Sequence, residues 1–191
     1  MPFSQSSQLS SIVGFLEQFQ PKSLLDVGIG MGQYGFLART NLEHLHLFDI
    51  DGAQVQQRPR EDWDVRIDGI EAFATYRTPV HDYVYNQIHW GNALDILPGL
   101  ADKQYELVMA IDILEHFTTQ EGLLFLEQLK RLASRGVLIS TPKNFIHQEV
   151  EANPYENHRS LWTQTQLAEQ GFSQILNNEE SWIAIHPLDN A

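Results

Sequence analysis

Apolar residues at Leu9, Ile12, Val13, Leu16 and Phe19 recur at the spacing of one helical face, and Pro21 ends the run. The period then changes. Residues 23–27 are a short, largely apolar strand that breaks at Gly28, and helical character returns over 34–39 after a set of glycines. Residues 65–71 alternate and finish on Glu71, 72–86 have a helical pattern around Pro79, and 87–90 make a brief strand before Gly91. The fourth strand, apolar over 106–111, stops at Asp112. Thr118-Thr119-Gln120-Glu121 then forms a capping box that opens an amphipathic helix over 121–133. Residues 136–140 are another apolar strand, stopped by Thr141-Pro142. Thr163 and Gln166 make a second capping box over a short helix ended by Gly171, and 172–176 with 182–185 form a closing hairpin.

Strands alternating with helices predict an α/β fold: a doubly wound, mostly parallel seven-stranded sheet with a C-terminal antiparallel hairpin and helices on both faces. One domain over 1–191 is expected, with an N-terminal helix in 1–20. Two stretches escape the pattern. Residues 40–64 are polar without sustained period, apart from His44-Leu45-His46-Leu47-Phe48, and are expected to be an insertion or loop. Residues 142–162 are a long polar and aromatic segment, and such segments in compact domains are functional or disordered. Ligands of doubly wound sheets bind beyond the carboxyl ends of the strands, so 142–162 is the expected substrate side.

Composition narrows the chemistry. The 191 residues, 42% of them hydrophobic, suit one core. Twenty-five acidic against 12 basic side chains give a net charge of -13, which opposes binding to nucleic acid or an anionic membrane and favours a small-molecule substrate. There is no cysteine, which removes disulfides, thiolate nucleophiles and Cys-based zinc sites. The N-terminus lacks the basic-then-apolar pattern of a signal peptide, and no apolar run approaches the ~18 residues of a membrane span. A soluble, cytoplasmic protein is expected.

The chemistry concentrates in Leu24-Leu25-Asp26-Val27-Gly28-Ile29-Gly30-Met31-Gly32. Glycines between a strand and a helix let the backbone turn tightly and bring its N–H groups against a ligand. Gly30-Met31-Gly32-Gln33-Tyr34-Gly35 also satisfies the dinucleotide pattern G-x-G-x-x-G, so NAD is one candidate. Asp26 points elsewhere: a carboxylate in the strand end suits a cationic ligand and opposes a pyrophosphate.

At these residues the chain resembles the class I methyltransferases, whose first motif D/E-x-G-x-G-x-G is matched by Asp26, Gly28, Gly30 and Gly32. The resemblance implies S-adenosyl-L-methionine as methyl donor and S-adenosyl-L-homocysteine as product. It also implies an acid at the end of the second strand to hold both ribose hydroxyls. Glu71 is preferred because it ends the better strand, within a segment similar to small methyltransferases that carry an insertion before it. Asp49 and Asp51, at about the usual 20-residue spacing, remain open. Gly91-Asn92-Ala93 stands where the family has Gly-Asp-Ala, so Asn92 and Ala93 are the implied adenine contacts, although Asn92 equally suits a helix N-cap. Asp112-Ile113-Leu114-Glu115-His116 resembles a D-x-L-E-H fourth motif, which implies Asp112 near the methionine end with Glu115 and His116 just beyond.

Catechol-type members bind a metal through an Asp-Asn pair after the fifth strand, but Thr141-Pro142-Lys143 stands there, and no metal is expected. Base-methylating enzymes place N/D-P-P-Y/F after the fourth strand. Asn153-Pro154-Tyr155 follows the fifth strand instead. Methyl transfer needs alignment more than a base. His116 and His158 are the candidates if a base is used, and Tyr155 and Arg159 are further substrate-side candidates. Trp162 is read as packing, and His44 and His46 as surface residues. The expected function is methyl transfer from S-adenosylmethionine to a small or medium organic acceptor. The alternatives are a noncatalytic scaffold or activator of a partner enzyme and an NAD-dependent oxidoreductase.

Overall fold

A computed structural model of the chain describes residues 6–44 and 46–188. The first five residues of the expected N-terminal segment, Leu45 of the short alternation, and 189–191 lie outside the described residues.

The helix expected from the first apolar stripe is α1 (Leu9–Phe19), with Ile12 and Leu16 fully buried. Next come β1 (Ser23–Val27), α2 (Gln33–Leu42), and the short strands β2 (Phe48–Asp51) and β3 (Gln54–Gln57). They are followed by β4 (Arg66–Glu71), α3 (Pro79–Val84), β5 (Gln87–Trp90), α4 (Ala93–Ile96) and β6 (Tyr105–Ile111). The chain ends with α5 (Thr119–Leu132), β7 (Ala133–Pro142), α6 (Gln164–Glu169), β8 (Gln174–Leu176) and β9 (Ser181–Pro187). Both predicted capping boxes are present, at Thr118 with Glu121 and at Thr163 with Gln166.

Seven strands form one sheet in the order β5-β4-β1-β6-β7-β9-β8, parallel except where β9 runs against β7 and β8. β1 pairs with β4 on one side and β6 on the other, and the chain winds outward in both directions from it. The crevice beyond the carboxyl ends of β1, β4 and β6 is therefore the topological switch point, where such sheets bind ligands.

Alternate residues of each strand feed opposite cores. Leu24, Leu107, Met109 and Leu138 pack under α1, α2 and α3, while Leu25, Val27, Val108 and Ile139 pack under α5 and α6 with Phe125, Leu129 and Leu167. Burial on both faces explains why the central strands have continuous apolar runs.

Two expectations need correction. Residues 40–64 are not a plain loop: α2 continues to Leu42, and β2 and β3 form a separate antiparallel hairpin turning at Gly52, where φ is 60°. Its apolar side chains point to solvent, with Phe48 51%, Ile50 75% and Val55 66% exposed. A periodicity search detects burial, and this hairpin rests on backbone pairing and an Asp-Gly turn. The helical stretch expected over 72–86 is one short turn, Ala74–Tyr76, followed by α3, because Pro79 starts a new helix capped by Thr78.

The hairpin leaves and re-enters the fold at one buried clamp. The guanidinium of Arg39, fully buried, donates to the carbonyls of Val65 and Val84 and to Asn86 Oδ1, and lies 4.4 Å from the ring centre of Trp63. Glu43 pairs with Arg39 and accepts the Val65 N–H. Burial lowers the Arg39 pKa to about 10, so it stays charged at neutral pH. Among the described residues, no helix is long and apolar enough to cross a membrane.

Candidate active site

The glycine loop after β1 adopts positive φ at three places: 77° at Gly28, 52° at Gly30 and 87° at Gly32. A Cβ at Gly28 would come within 2.0 Å of the Ile113 side chain, so only glycine lets the β1 and β6 ends approach here. The loop is held on both sides of Gly30. Its N–H donates to Glu71 Oε2 at 2.9 Å, and its carbonyl faces His81 Nε2 at 2.9 Å. His81 Nδ1 accepts the Thr78 N–H, which assigns the ring proton to Nε2 and makes it the donor to Gly30.

Glu71 ends β4 beside this loop. Its Oε1 accepts the Phe73 N–H at 2.8 Å, so each oxygen takes one backbone donor and keeps a lone pair for a ligand. Burial raises its pKa although both donors pull it down. Asp49 and Asp51 lie instead on the exposed β2–β3 hairpin, outside the cleft that Glu71 lines.

Asp26, 2% exposed, accepts the Tyr85 hydroxyl at 2.7 Å. Burial raises its pKa to about 7; the Tyr85 hydrogen bond opposes the rise and the Glu71 charge adds to it. An acid with a raised folded pKa favours folding most below its unfolded value, near 3.8, and that contribution is lost as pH rises through about 7. The ligand-free Asp26→Asn variant should therefore show a shallower fall in stability than the parent between pH 4 and 7. Urea unfolding across that window measures it, and an unchanged slope would refute the assignment.

Asp112 follows β6 at φ 52°, a left-handed conformation that a short polar side chain tolerates. Its Oδ1 accepts the Ser140 hydroxyl at 2.6 Å and its Oδ2 accepts the Gln8 amide, which closes one wall from the N-terminal segment. Asn92 caps α4, its side-chain oxygen accepting the Leu94 N–H at 3.0 Å, and Ala93 follows on the cleft wall. Beyond Asp112, Glu115 is 3% exposed and accepts the Thr141 hydroxyl at 3.0 Å. Burial drives its pKa well up, with the Asp112 charge adding to the rise. Burial lowers the pKa of His116, as does the neighbouring His158.

Asp26, Gly28, Gly30, Glu71, Asn92, Ala93, Asp112, Glu115, His116 and His158 line one cleft of about 660 Å³. Gly32, expected among the cofactor residues, lies outside that lining, where a Cβ would meet Val80 at 3.1 Å. The predicted substrate-side segment crosses it, contributing Ile146, Gln148, Tyr155, His158 and Arg159. The segment is tied across the cleft where Asn153 Nδ2 donates to the Tyr76 hydroxyl, which itself donates to Glu156. Trp162 is 1% exposed and packs as expected. His44 and His46 are exposed and lie outside the cleft.

Comparison with solved structures identifies this architecture. An S-adenosylmethionine-dependent methyltransferase from Archaeoglobus fulgidus is similar at a TM-score of 0.61 and 12% identity, over 95% of this chain and 94% of that one. One from Aquifex aeolicus is similar at 0.58 and 17% identity, over 95% and 94%. The magnesium protoporphyrin IX methyltransferase from Synechocystis, with bound S-adenosylmethionine, is similar at 0.58 and 16% identity, over 95% and 78%. This is the class I methyltransferase fold. No family model and no curated protein matches the sequence.

In this class I fold the G-x-G-x-x-G pattern has a cause unrelated to a dinucleotide. Gly30 lies three residues past the last residue of β1, too late to be the strand-end glycine of a dinucleotide turn. Gly35 is required because a Cβ there would come within 2.1 Å of the Tyr85 hydroxyl, which passes this helix to reach Asp26. Sequence reasoning missed Tyr85, His81 and Gln8. Thr78-Pro79-Val80-His81 carries a legible signal for one of them, a capping sequence with histidine at its third helical position. Nothing local marks Gln8 or Tyr85, whose partners are 104 and 59 residues away.

Proposed function

We propose that the protein is an S-adenosylmethionine-dependent methyltransferase acting on a small or medium organic acceptor. The observation that carries this reading is the join between Gly30 N–H and the Glu71 carboxylate, which sets a fork of acceptors beside a cradle too tight for a Cβ. The donor set fits the group. Glu71 retains lone pairs that would take two ribose hydroxyls, Asn92 and Ala93 would take the adenine end, and Asp26, Gly28, Gly30 and Asp112, on the same cleft, would take the methionine end, with Gly32 shaping the loop behind them. Bound there, S-adenosylmethionine supplies a methyl carbon already activated by its sulfonium.

The chain's own contribution is alignment and exclusion of water. Buried carboxylates at Asp26 and Glu71 favour a cationic ligand and disfavour a pyrophosphate, which argues against NAD. The segment tied by Asn153 and Tyr76 covers the cleft, and Tyr155, His158 and Arg159 supply polar groups where an acceptor would lie. The cleft volume, about 660 Å³, suits one cofactor with a modest acceptor.

Calorimetric titration tests the reading. S-adenosylhomocysteine should bind in the micromolar range and NAD should not. Gly30→Val should abolish the signal while the protein stays folded by circular dichroism. No binding at millimolar S-adenosylhomocysteine overturns the proposal and leaves the noncatalytic scaffold reading.

A further inference from the structure

Glu115, His116 and His158 offer one ligand atom each, all within 4.8 Å of one another, on the wall of the cleft. The two histidines come from segments 42 residues apart, and their rings lie with centroids 5.1 Å apart. From these three side chains we propose a binding site for a divalent transition-series cation.

Donor type comes first. Two imidazoles and a carboxylate are the set that binds zinc, iron, cobalt or manganese at one face and leaves the remaining positions open. Ligands of one such ion stand about 3–4 Å apart, so side-chain rotations of roughly an ångström bring the set onto a common centre.

The hydrogen bonding outside the set is a second, independent observation. His116 Nδ1 lies 3.3 Å from the Asn157 carbonyl oxygen, and His158 Nδ1 lies 2.7 Å from the Ile146 carbonyl oxygen. A carbonyl can only accept, so each Nδ1 carries the proton and each Nε2 lone pair is left as a ligand atom. Histidines that hold metals are oriented in this way by a carbonyl or carboxylate behind the ring. Glu115 is supported likewise, Thr141 Oγ1 donating to its Oε2 and leaving Oε1 available.

The third observation is charge. Glu115 is 3% exposed, and among the described residues no lysine or arginine side chain pairs with it; the guanidinium of Arg159 turns to Glu121 instead. A buried carboxylate without a cation is costly to ionise, and an ion between it and the two imidazoles would hold it in its charged, ligating form. Asp112 stands outside the set of atoms that lie within 4.8 Å of one another, its oxygens turned to Ser140 and Gln8. The set also differs from the Asp-Asn arrangement whose absence led the sequence to predict no metal. The open positions of the ion face the cleft, available to water or to an oxygen of the acceptor.

Titration of the metal-free protein with Co²⁺ tests the site by visible absorption, and Zn²⁺ serves as competitor. One equivalent should bind with a d–d band, displaced by Zn²⁺. His158→Ala should weaken Co²⁺ binding by at least 100-fold, and Thr141→Val by about 10–100-fold without removing a ligand. The surface double variant His44→Ala/His46→Ala should bind like the parent. The proposal fails if no band develops, or if His158→Ala keeps parental affinity, which would assign the ion to surface histidines. Titration of the parent and each variant with S-adenosylhomocysteine keeps the two readings separate: a parent that binds Co²⁺ but not S-adenosylhomocysteine overturns the methyl-transfer reading alone.

Discussion

Glu71→Ala should weaken S-adenosylhomocysteine binding by about two orders of magnitude. A hydrogen bond to a charged group contributes about 1.5–3 kcal/mol, and two ribose hydroxyls on one carboxylate therefore give about 3 kcal/mol or more, a factor above 100 in Kd. The variant also strips Gly30 and Phe73 of their N–H acceptor, so the loop loses the contact that sets its conformation. Asp49→Ala and Asp51→Ala should change affinity less than twofold, because both side chains sit on the exposed hairpin. Calorimetry on the three variants decides the matter. Parental affinity in Glu71→Ala, or a large loss in Asp49→Ala, would transfer the ribose role away from β4.

Trp162→Ala should cost about 3–5 kcal/mol of folding free energy, the range for deleting a fully buried large aromatic. Trp162 is 1% exposed and packs so closely on α5 that a Cβ at Gly122 would come within 2.5 Å of its ring. Its indole N–H donates to Ser160 Oγ, so the deletion also frees a buried acceptor. The residue anchors the end of the segment that crosses the cleft: Arg159 and Ser160, just before it, both donate backbone N–H groups to the Glu115 carbonyl. Urea unfolding should show the lower midpoint, and a loss below about 1 kcal/mol would mean that the segment is held elsewhere.

Legibility in the sequence followed burial. β1, β6 and α5 were readable because their side chains face dry cores on a regular period, and both capping boxes were readable because they are made within four residues. The β2–β3 hairpin was missed for the opposite reason, since its apolar side chains are exposed. The Ala74–Tyr76 turn and α3 are too short for a helical period to separate, and Pro79 alone marks their boundary. Asn92 shows two roles written on one residue: the sequence suits both a cap and an adenine contact, and its capping bond to Leu94 is present.

By itself, then, the sequence determined the α/β class, the glycine loop with Asp26 at its head, and the residues that follow strands, because each depends on local period, local turn chemistry or immediate neighbours. Tertiary structure alone decided which acid stands beside that loop, since Glu71 meets Gly30 across 41 residues through the pairing of β1 with β4. It alone assigned Gly35 to the passage of Tyr85, His81 to the Gly30 carbonyl, and Glu115, His116 and His158 to one cluster. Such meetings are set by strand order and by the path of an irregular segment, neither of which leaves a period in the sequence.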